Sequence, residues 1–125
     1  MTTTIRILLD EHEVTAELAD GPTAEAVLAA LPFEETLRSF GDCFYVESPV
    51  TAALEPGASD EVAVGDVAYW PAALAVCCFF GPTPESVPGS EEPVAPSDVT
   101  IIGKLAEPER LANARDAKRI RIEKA

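Results

Sequence analysis

Side chains that could take part in chemistry are few in this chain and lie far apart in the sequence. His12 is the single histidine, and no His, Lys or Arg occurs between Arg38 and Lys104. A hydroxyl or thiol nucleophile needs a neighbouring base, and a general base needs a partner that orients it. Because Asp10-Glu11-His12 predicts a solvated hairpin turn, we do not expect His12 to act as a base. The sequence contains no complete set of nucleophile, acid and base.

The three cysteines do not indicate a metal or redox site. Cys43, Cys77 and Cys78 are odd in number and lack the spacing of metal ligands. Neighbouring residues on a strand point to opposite faces, so Cys77 and Cys78 are poorly placed to bridge each other. We expect buried thiols in a reducing cytoplasm, with no metal and no cofactor. The acidic residues of Asp10-Glu11-His12-Glu13 could hold Ca²⁺ or Mg²⁺ only loosely.

The chain is strongly acidic, with 22 Asp and Glu against 9 Lys and Arg and a formal net charge of −13. This charge repels the phosphate backbone of nucleic acids and anionic membrane surfaces, and no apolar run reaches the roughly 18 residues of a membrane span. We expect neither nucleic acid nor membrane as a partner. The acidic excess is consistent with ordinary solubility or with adaptation to a salt-rich cytoplasm.

The pattern of apolar residues predicts a mainly β fold in a single domain, residues 1–125. Residues 81–97 contain five Pro and two Gly, which disfavour a strand or helix and indicate a mobile linker or a cover over a site. Mostly antiparallel strands with two isolated helices predict a closed β-barrel of about eight strands with two short capping helices. The predicted strands are 3–9, 13–18, 34–40, 43–47, 67–70, 75–80, 99–105 and 119–122, and the helices are 22–31, capped by Thr23, and 108–113.

One segment gathers many of the rarer residue types. It begins as Gly65-Asp66-Val67-Ala68-Tyr69-Trp70-Pro71-Ala72-Ala73 and continues through an apolar strand to Phe79-Phe80-Gly81-Pro82-Thr83-Pro84. It holds the only Trp, one of two Tyr and two of five Phe. On a strand Tyr69 and Trp70 face opposite sides, so one is expected in the core and the other could line a pocket.

This segment resembles the motif of the small stand-alone cyclophilin-like family of prokaryotes. Members carry Gly-Asp-Val-x-Tyr-Trp-Pro-Pro-Gly, an apolar strand and Phe-Phe-Gly-x-Thr-Pro. Here Ala72-Ala73 replaces Pro-Gly, which predicts a differently shaped turn after Trp70. The resemblance implies a cyclophilin-like barrel over nearly the whole chain. It extends to Leu31-Pro32-Phe33-Glu34, Gly41-Asp42 with Tyr45, Ser48-Pro49-Val50 and Ile101-Ile102-Gly103-Lys104.

True cyclophilins are peptidyl-prolyl isomerases that use an Arg on the strand after the first helix, and the resemblance places Arg38 there. An Arg donor can hydrogen-bond the prolyl nitrogen and weaken the resonance behind a barrier of roughly 20 kcal/mol. The Phe-His-Arg run and the Gln-Gly-Gly strand of true cyclophilins are absent here. Arg38 could instead balance the nearby charges of Glu34, Glu35 and Asp42.

The aromatic residues could form the floor of a pocket for a proline-containing peptide or a small apolar ligand. The candidates are Phe40, Tyr45, Tyr69, Trp70 and Phe80. Three functions remain open at this point. They are a non-catalytic binding module, a weak peptidyl-prolyl isomerase centred on Arg38, and an assembly role in which an exposed strand or the basic C-terminal end meets an acidic partner.

Overall fold

In the computed structural model, which describes residues 2–125, the first hairpin follows from the alternation of its apolar side chains. Strands β1 (Thr3–Leu9) and β2 (His12–Leu18) alternate between buried and more exposed residues and pair antiparallel, with Leu9 opposite His12. Asp10 adopts φ 54°, a left-handed conformation that Asp tolerates better than most residues. The turn is shorter than predicted, because His12 already belongs to β2.

Eight further strands and one α-helix follow the hairpin in the residues that the structure describes. In chain order they are α1 (Pro22–Ala30), β3 (Phe33–Thr36), β4 (Arg38–Ser39), β5 (Cys43–Glu47), β6 (Ser59–Glu61), β7 (Asp66–Trp70), β8 (Ala75–Phe79), β9 (Val94–Leu105) and β10 (Arg119–Lys124). Two 3₁₀ helices lie at Pro71–Ala73 and Pro108–Ala114. The predicted helix near the C-terminus is therefore a 3₁₀ helix that buries Leu111 and Ala114.

Nine strands form one antiparallel path in the order β3-β10-β1-β2-β9-β7-β8-β5-β4, and β6 pairs with β9 beside it. The predicted mainly β, antiparallel fold is confirmed. The two ends of this path, β3 and β4, are separated in the chain by the single residue Leu37.

The sheet therefore curls back on itself without closing by hydrogen bonds. Cα atoms of β3 approach within 8 Å of Cα atoms of β5, yet no ladder joins β3 to β4 or β5 anywhere in residues 2–125. The prediction of a closed barrel is therefore supported only loosely, because β3 does not pair with β4 or β5. The open line between β3 and β5 is called the seam below.

Helix α1 covers one side of the inner core, and its N-terminus is held by a distant loop residue. Thr23 was predicted to cap the helix, but the cap position is Gly21, and no capping side chain bonds from there. The backbone N–H of Thr23 instead donates to Glu55 Oε2 at 3.1 Å. A carboxylate at this end is stabilised by unpaired N–H groups and the helix dipole. The helix buries Val27, as expected from its apolar stripe.

The apolar residues form two clusters on opposite faces of the sheet. The inner core includes Ile5, Ile7, Val46, Tyr69 and Ile122, with α1 and the second 3₁₀ helix packed against it. The outer cluster lies on the other face of β5, β7 and β8. Its buried members are Cys43, Val62, Ala68, Ala75, Cys77, Phe79, Ala95 and Val99. Half-buried aromatic residues border this outer cluster, and they include most of the predicted site.

Strand β9 begins five residues earlier than predicted and pairs there with β6, which the sequence pattern placed in a loop. Ser59 lies opposite Val99 and Glu61 opposite Val94, so one residue of β6 faces four residues of β9 in a bulge. Pro96 is tolerated inside this bulge because its missing N–H is not needed for a ladder bond.

The long proline-rich segment before β9 is joined to it through the hydroxyl of Thr83. Thr83 is buried, donates from Oγ1 to the carbonyl of Val94 and accepts from the N–H of Glu85 at 3.3 Å. Ser86 Oγ accepts from the N–H of Thr83 at 2.9 Å and donates to the carbonyl of Glu92 at 2.7 Å. Internal hydrogen bonds thus shape this segment. It leads into β9, whose residues Ala95 and Val99 belong to the outer cluster.

Candidate functional site

The candidate site lies on the outer face of the sheet, where four neighbouring strands present their side chains in register. On β5, Tyr45 and Glu47 lie two residues apart and share this face. Arg38 of β4 is directly opposite Tyr45, while Ala75 of β8 lies between Glu47 and Trp70 of β7. The small side chain of Ala75 leaves room above it for the larger groups on either side.

Tyr45 and Trp70 meet over this floor as an edge-to-face aromatic pair. Their ring centroids are 5.5 Å apart and the ring planes are inclined by 73°. Trp70 Nε1 donates to Ser97 Oγ at 2.7 Å, which fixes the indole against the start of β9. Both rings are only half-buried. The pair therefore presents apolar surface to solvent in a defined orientation.

Arg38 lies beside this pair, and its guanidinium has no partner among the described residues. The side chain is exposed and lines a hollow of about 300 Å³ together with Tyr45, Glu47 and Ala73. Within residues 2–125, Arg38 makes no ion pair and no side-chain hydrogen bond. Its donors are therefore available to a ligand in the hollow.

Arg38 makes no direct ion pair with Glu34, Glu35 or Asp42, the nearby acidic residues whose charge it could balance. Glu34 accepts from Arg119 Nε at 3.2 Å, and Asp42 accepts from Arg115 Nη1 at 2.7 Å. Glu35 makes no ion pair in the described part of the chain. The acidic neighbours are thus engaged elsewhere or unpaired.

Phe40 borders the same face, at the turn between β4 and β5. Its ring is half-buried against the outer cluster, and its N–H donates to the carbonyl of Cys43 at 2.8 Å. The next residue, Gly41, has φ 61°, and a Cβ there would lie 2.8 Å from Thr83 Cα and from Pro84 Cδ. The glycine therefore permits both the turn and the close approach of the proline-rich segment.

Tyr69 and Phe80 do not join the other four predicted residues, because both point into the inner core. Tyr69 is fully buried and its hydroxyl donates to the carbonyl of Val50, while burial raises the pKa of the phenol. Phe80 packs on Phe44 with centroids 4.8 Å apart, and the guanidinium of Arg115 lies 5.2 Å from its ring centre. These contacts assign both residues to packing.

The three thiols are buried, and none of them lines the hollow. Cys43 and Cys77 belong to the outer cluster and Cys78 to the inner core, so neighbouring cysteines do point to opposite faces. A hydrogen bond with Cys77 and burial raise the pKa of Cys43, and burial raises that of Cys78. Protonated, buried thiols are poor nucleophiles.

The turn after Trp70 is where the sequence departs from the family motif. Pro71–Ala73 forms the first 3₁₀ helix, and Leu74 then adopts φ 53°, ψ 38° in the left-handed region. The carbonyl of Leu74 accepts from the backbone N–H and the hydroxyl of Ser48, at 2.7 and 2.9 Å. This turn places Ala73 at the edge of the hollow and ties it to the end of β5.

The polar residues that open the motif hold the fold together. Asp66 is buried, accepts from the N–H of Ala63 at 2.8 Å and pairs with Lys104 at 2.5 Å. Gly65 has φ 95° and donates its N–H to the carbonyl of Phe79 at 2.8 Å. From Gly65 to Ala73, the motif thus supplies Trp70 and Ala73 to the outer site.

Sequence reasoning missed two residues of the hollow, Glu47 and Ala73. Glu47 could have been found, because it lies two positions after Tyr45 on a strand and so shares its face. Ala73 depends on the turn and carries no such signal. Among residues 2–125 no group of three His, Cys, Asp or Glu side chains could hold a metal ion, and no helix has the length and hydropathy of a membrane span.

Comparisons with known proteins agree with this fold. Residues 3–123 match the sequence model of the Cyclophilin-like family. The solution structure of the hypothetical protein AF2241 from Archaeoglobus fulgidus is similar, with 31% identity and a TM-score of 0.81 over 99% of this chain and 95% of that one. The structure of McbB in complex with tryptophan shares the fold at 14% identity, with a TM-score of 0.71 over 96% of this chain but 44% of McbB. A search of proteins with curated descriptions finds no match.

Proposed function

This chain belongs to the Cyclophilin-like family, and we propose that it is a non-catalytic binding module for a proline-containing peptide or a small apolar ligand. The observation that carries the proposal is the unpartnered guanidinium of Arg38 beside the half-buried pair of Tyr45 and Trp70, at a hollow of about 300 Å³ that Arg38 and Tyr45 line. Ligand sites typically combine apolar walls with a few polar anchors.

A proline-containing peptide fits the chemistry of this hollow. The proline ring is apolar and rigid, and grooves lined by aromatic residues recognise such segments at a small entropic cost. The peptide carbonyl next to the ring is an acceptor for the guanidinium of Arg38. The aromatic pair would thus bind the proline ring, and Arg38 would bind the peptide carbonyl next to it.

We propose a non-catalytic module because the described residues around the hollow provide no acid–base pair and no accessible thiol. The thiols are buried, and His12 lies on β2, which is separated from β5 by three strands of the sheet. Glu47 is the only acidic residue lining the hollow in the described chain. Without a positioned partner, this single carboxylate does not form an acid–base pair.

Trp70 makes the proposal directly testable, because the only indole of the chain lies at the site. We expect a short proline-containing peptide to change the Trp70 fluorescence in a saturable titration, and the analogue with Ala in place of Pro to bind more weakly. Arg38→Ala should weaken binding by about fivefold to tenfold through the loss of a charged donor.

The matched control is Arg110→Ala, which removes an exposed arginine paired with Glu107 on the second 3₁₀ helix. This variant should bind the peptide like the wild type. Equal titrations with the Pro and Ala peptides, or no fluorescence change with either, would refute the proposed binding of proline peptides. Free tryptophan, the ligand named for McbB, is tested by calorimetry because its own fluorescence hides Trp70.

The alternative is a weak peptidyl-prolyl isomerase that uses Arg38, and the lack of an acidic partner for this side chain favours it. A free guanidinium could hydrogen-bond the prolyl nitrogen and lower the barrier to rotation. A protease-coupled assay on a proline tetrapeptide should then show acceleration by the wild type and little by Arg38→Ala. A wild-type rate equal to the uncatalysed rate excludes this activity.

A further inference from the structure

The hollow beside Arg38 is the first of three neighbouring hollows, of which the second lies at the seam between β3 and β5. The second, of about 240 Å³, is lined by Phe33, Glu35, Glu47, Ser48 and Pro49. The third, of about 370 Å³, is lined by Ala26, Ala29, Ala30, Pro49, Val50 and Thr51. Glu47 belongs to the first and second hollows, and Pro49 to the second and third. These three hollows, from Arg38 to helix α1, are together called the seam groove.

The middle of the seam groove carries two carboxylates without partners. Glu35 and Glu47 are exposed and make no ion pair or side-chain hydrogen bond within the described residues. By contrast, Glu34 of β3 and Glu123 of β10 bind arginines, and the hydrogen bond from Arg121 lowers the pKa of Glu123. The seam groove is therefore negative in the middle, while Arg38 is the cation at one end.

The spacing along β5 matches that of an extended peptide. Tyr45 and Glu47 share a face of the strand and are about 7 Å apart along it, at about 3.3 Å per residue. Side chains two residues apart in an extended ligand have the same separation. A ligand that places proline on Tyr45 and Trp70 would therefore bring the side chain two positions away to Glu47.

We propose that Glu35 and Glu47 are specificity residues, and that the seam groove selects an extended peptide with Lys or Arg two positions from its proline. This inference rests on the proposed function, since it extends the ligand from the proline hollow into the second one. Carboxylates on two sides of one hollow favour a cationic side chain, and an acidic ligand residue there is repelled.

The test is a Trp70 fluorescence titration at low ionic strength with three peptides that are identical except at one position, two residues from proline. That position is Lys, Ala or Glu. Each set is made with the variable residue before and after proline. In one of the two sets we expect the Lys peptide to bind about threefold to tenfold more tightly than the Ala peptide, and the Glu peptide to bind most weakly. Glu35→Gln with Glu47→Gln should abolish this preference, so that the Lys, Ala and Glu peptides bind this variant with equal affinity.

The net charge of −13 alone would attract any cationic peptide, so a matched control removes equal charge elsewhere. Glu13→Gln with Glu61→Gln changes two exposed glutamates on β2 and β6, outside all three hollows. This variant should keep the Lys preference. Equal Lys and Ala affinities for the wild type in both sets, or a preference that survives in the Glu35/Glu47 variant, would overturn the inference. Failure of every peptide to bind would refute the proposed function itself.

Discussion

At the scale of single residues, alternation along strands separates the residues that pack from those that face solvent. It predicts that Tyr69 and Trp70 point to opposite faces, and the structure confirms this with Tyr69 in the inner core and Trp70 at the outer site. Alternation does not reveal backbone strain. Leu74 adopts a left-handed conformation although it is neither Gly nor Asn.

Replacing Leu74 by Asn should stabilise the protein. A left-handed conformation costs an ordinary L-residue roughly 1–2 kcal/mol, whereas Asn adopts it more readily. Because Leu74 is 36% exposed, part of this gain is lost with its buried apolar surface. We expect Leu74→Asn to raise the free energy of unfolding by about 0.5–1 kcal/mol, measured by denaturant titration.

The control is Leu54→Asn, which exchanges a leucine of 45% exposure whose φ is not positive. Its free energy of unfolding should stay within about 0.5 kcal/mol of the wild type. A loss of stability in Leu74→Asn larger than that in Leu54→Asn would show that packing of the leucine outweighs the relief of strain.

At the scale of elements, strands that bury their own apolar face were predictable and strands formed only by pairing were not. Segment 59–61 is Ser-Asp-Glu, which carries no apolar alternation, and it becomes β6 because β9 pairs with it. Likewise, Glu55 stabilises the start of α1 from 32 residues away, a distance that no local capping signal covers. Such long-range contacts need the assembled sheet.

Some features of the candidate site were likewise predictable from the sequence, and others were not. Arg38, Phe40, Tyr45 and Trp70 were expected together and do lie on one face. Phe79 and Phe80 are both apolar, so the sequence does not tell which of them faces the inner core. The open seam was also not predictable, because a count of strands does not show which edges pair.

At the scale of the whole molecule, the basic C-terminal part offsets some of the acidic charge of the rest. Arg115 pairs with Asp42, Arg119 with Glu34 and Lys104 with Asp66. These pairs join residues far apart in the chain. The remaining net charge of −13 still leaves a strongly repulsive surface.

We predict that salt stabilises this protein, as expected for adaptation to a salt-rich cytoplasm. At about 1 M KCl the Debye length falls to about 3 Å, which screens repulsion between exposed carboxylates. The melting temperature, measured by circular dichroism, should therefore rise between low-salt buffer and about 1 M KCl.

A variant with less charge separates screening from general salt effects. Glu11, Glu13, Glu61 and Glu91 are exposed, and replacing all four by Gln changes the net charge from −13 to −9. This variant should be more stable at low salt and gain less from KCl. An equal gain in both proteins would attribute the effect to exclusion of salt from the surface rather than to charge.

The place of β10 in the sheet has a consequence for the order of events during synthesis. It is the last of the ten described strands in chain order, yet it lies between β1 and β3, which do not pair with each other. While the ribosome still holds Arg119–Lys124, the nascent chain exposes Ile5, Ile7 and Leu9 next to an empty position in the sheet. Completion of the inner core must therefore wait until β10 has left the ribosome, and a chaperone that covers β1 would have its role in that interval.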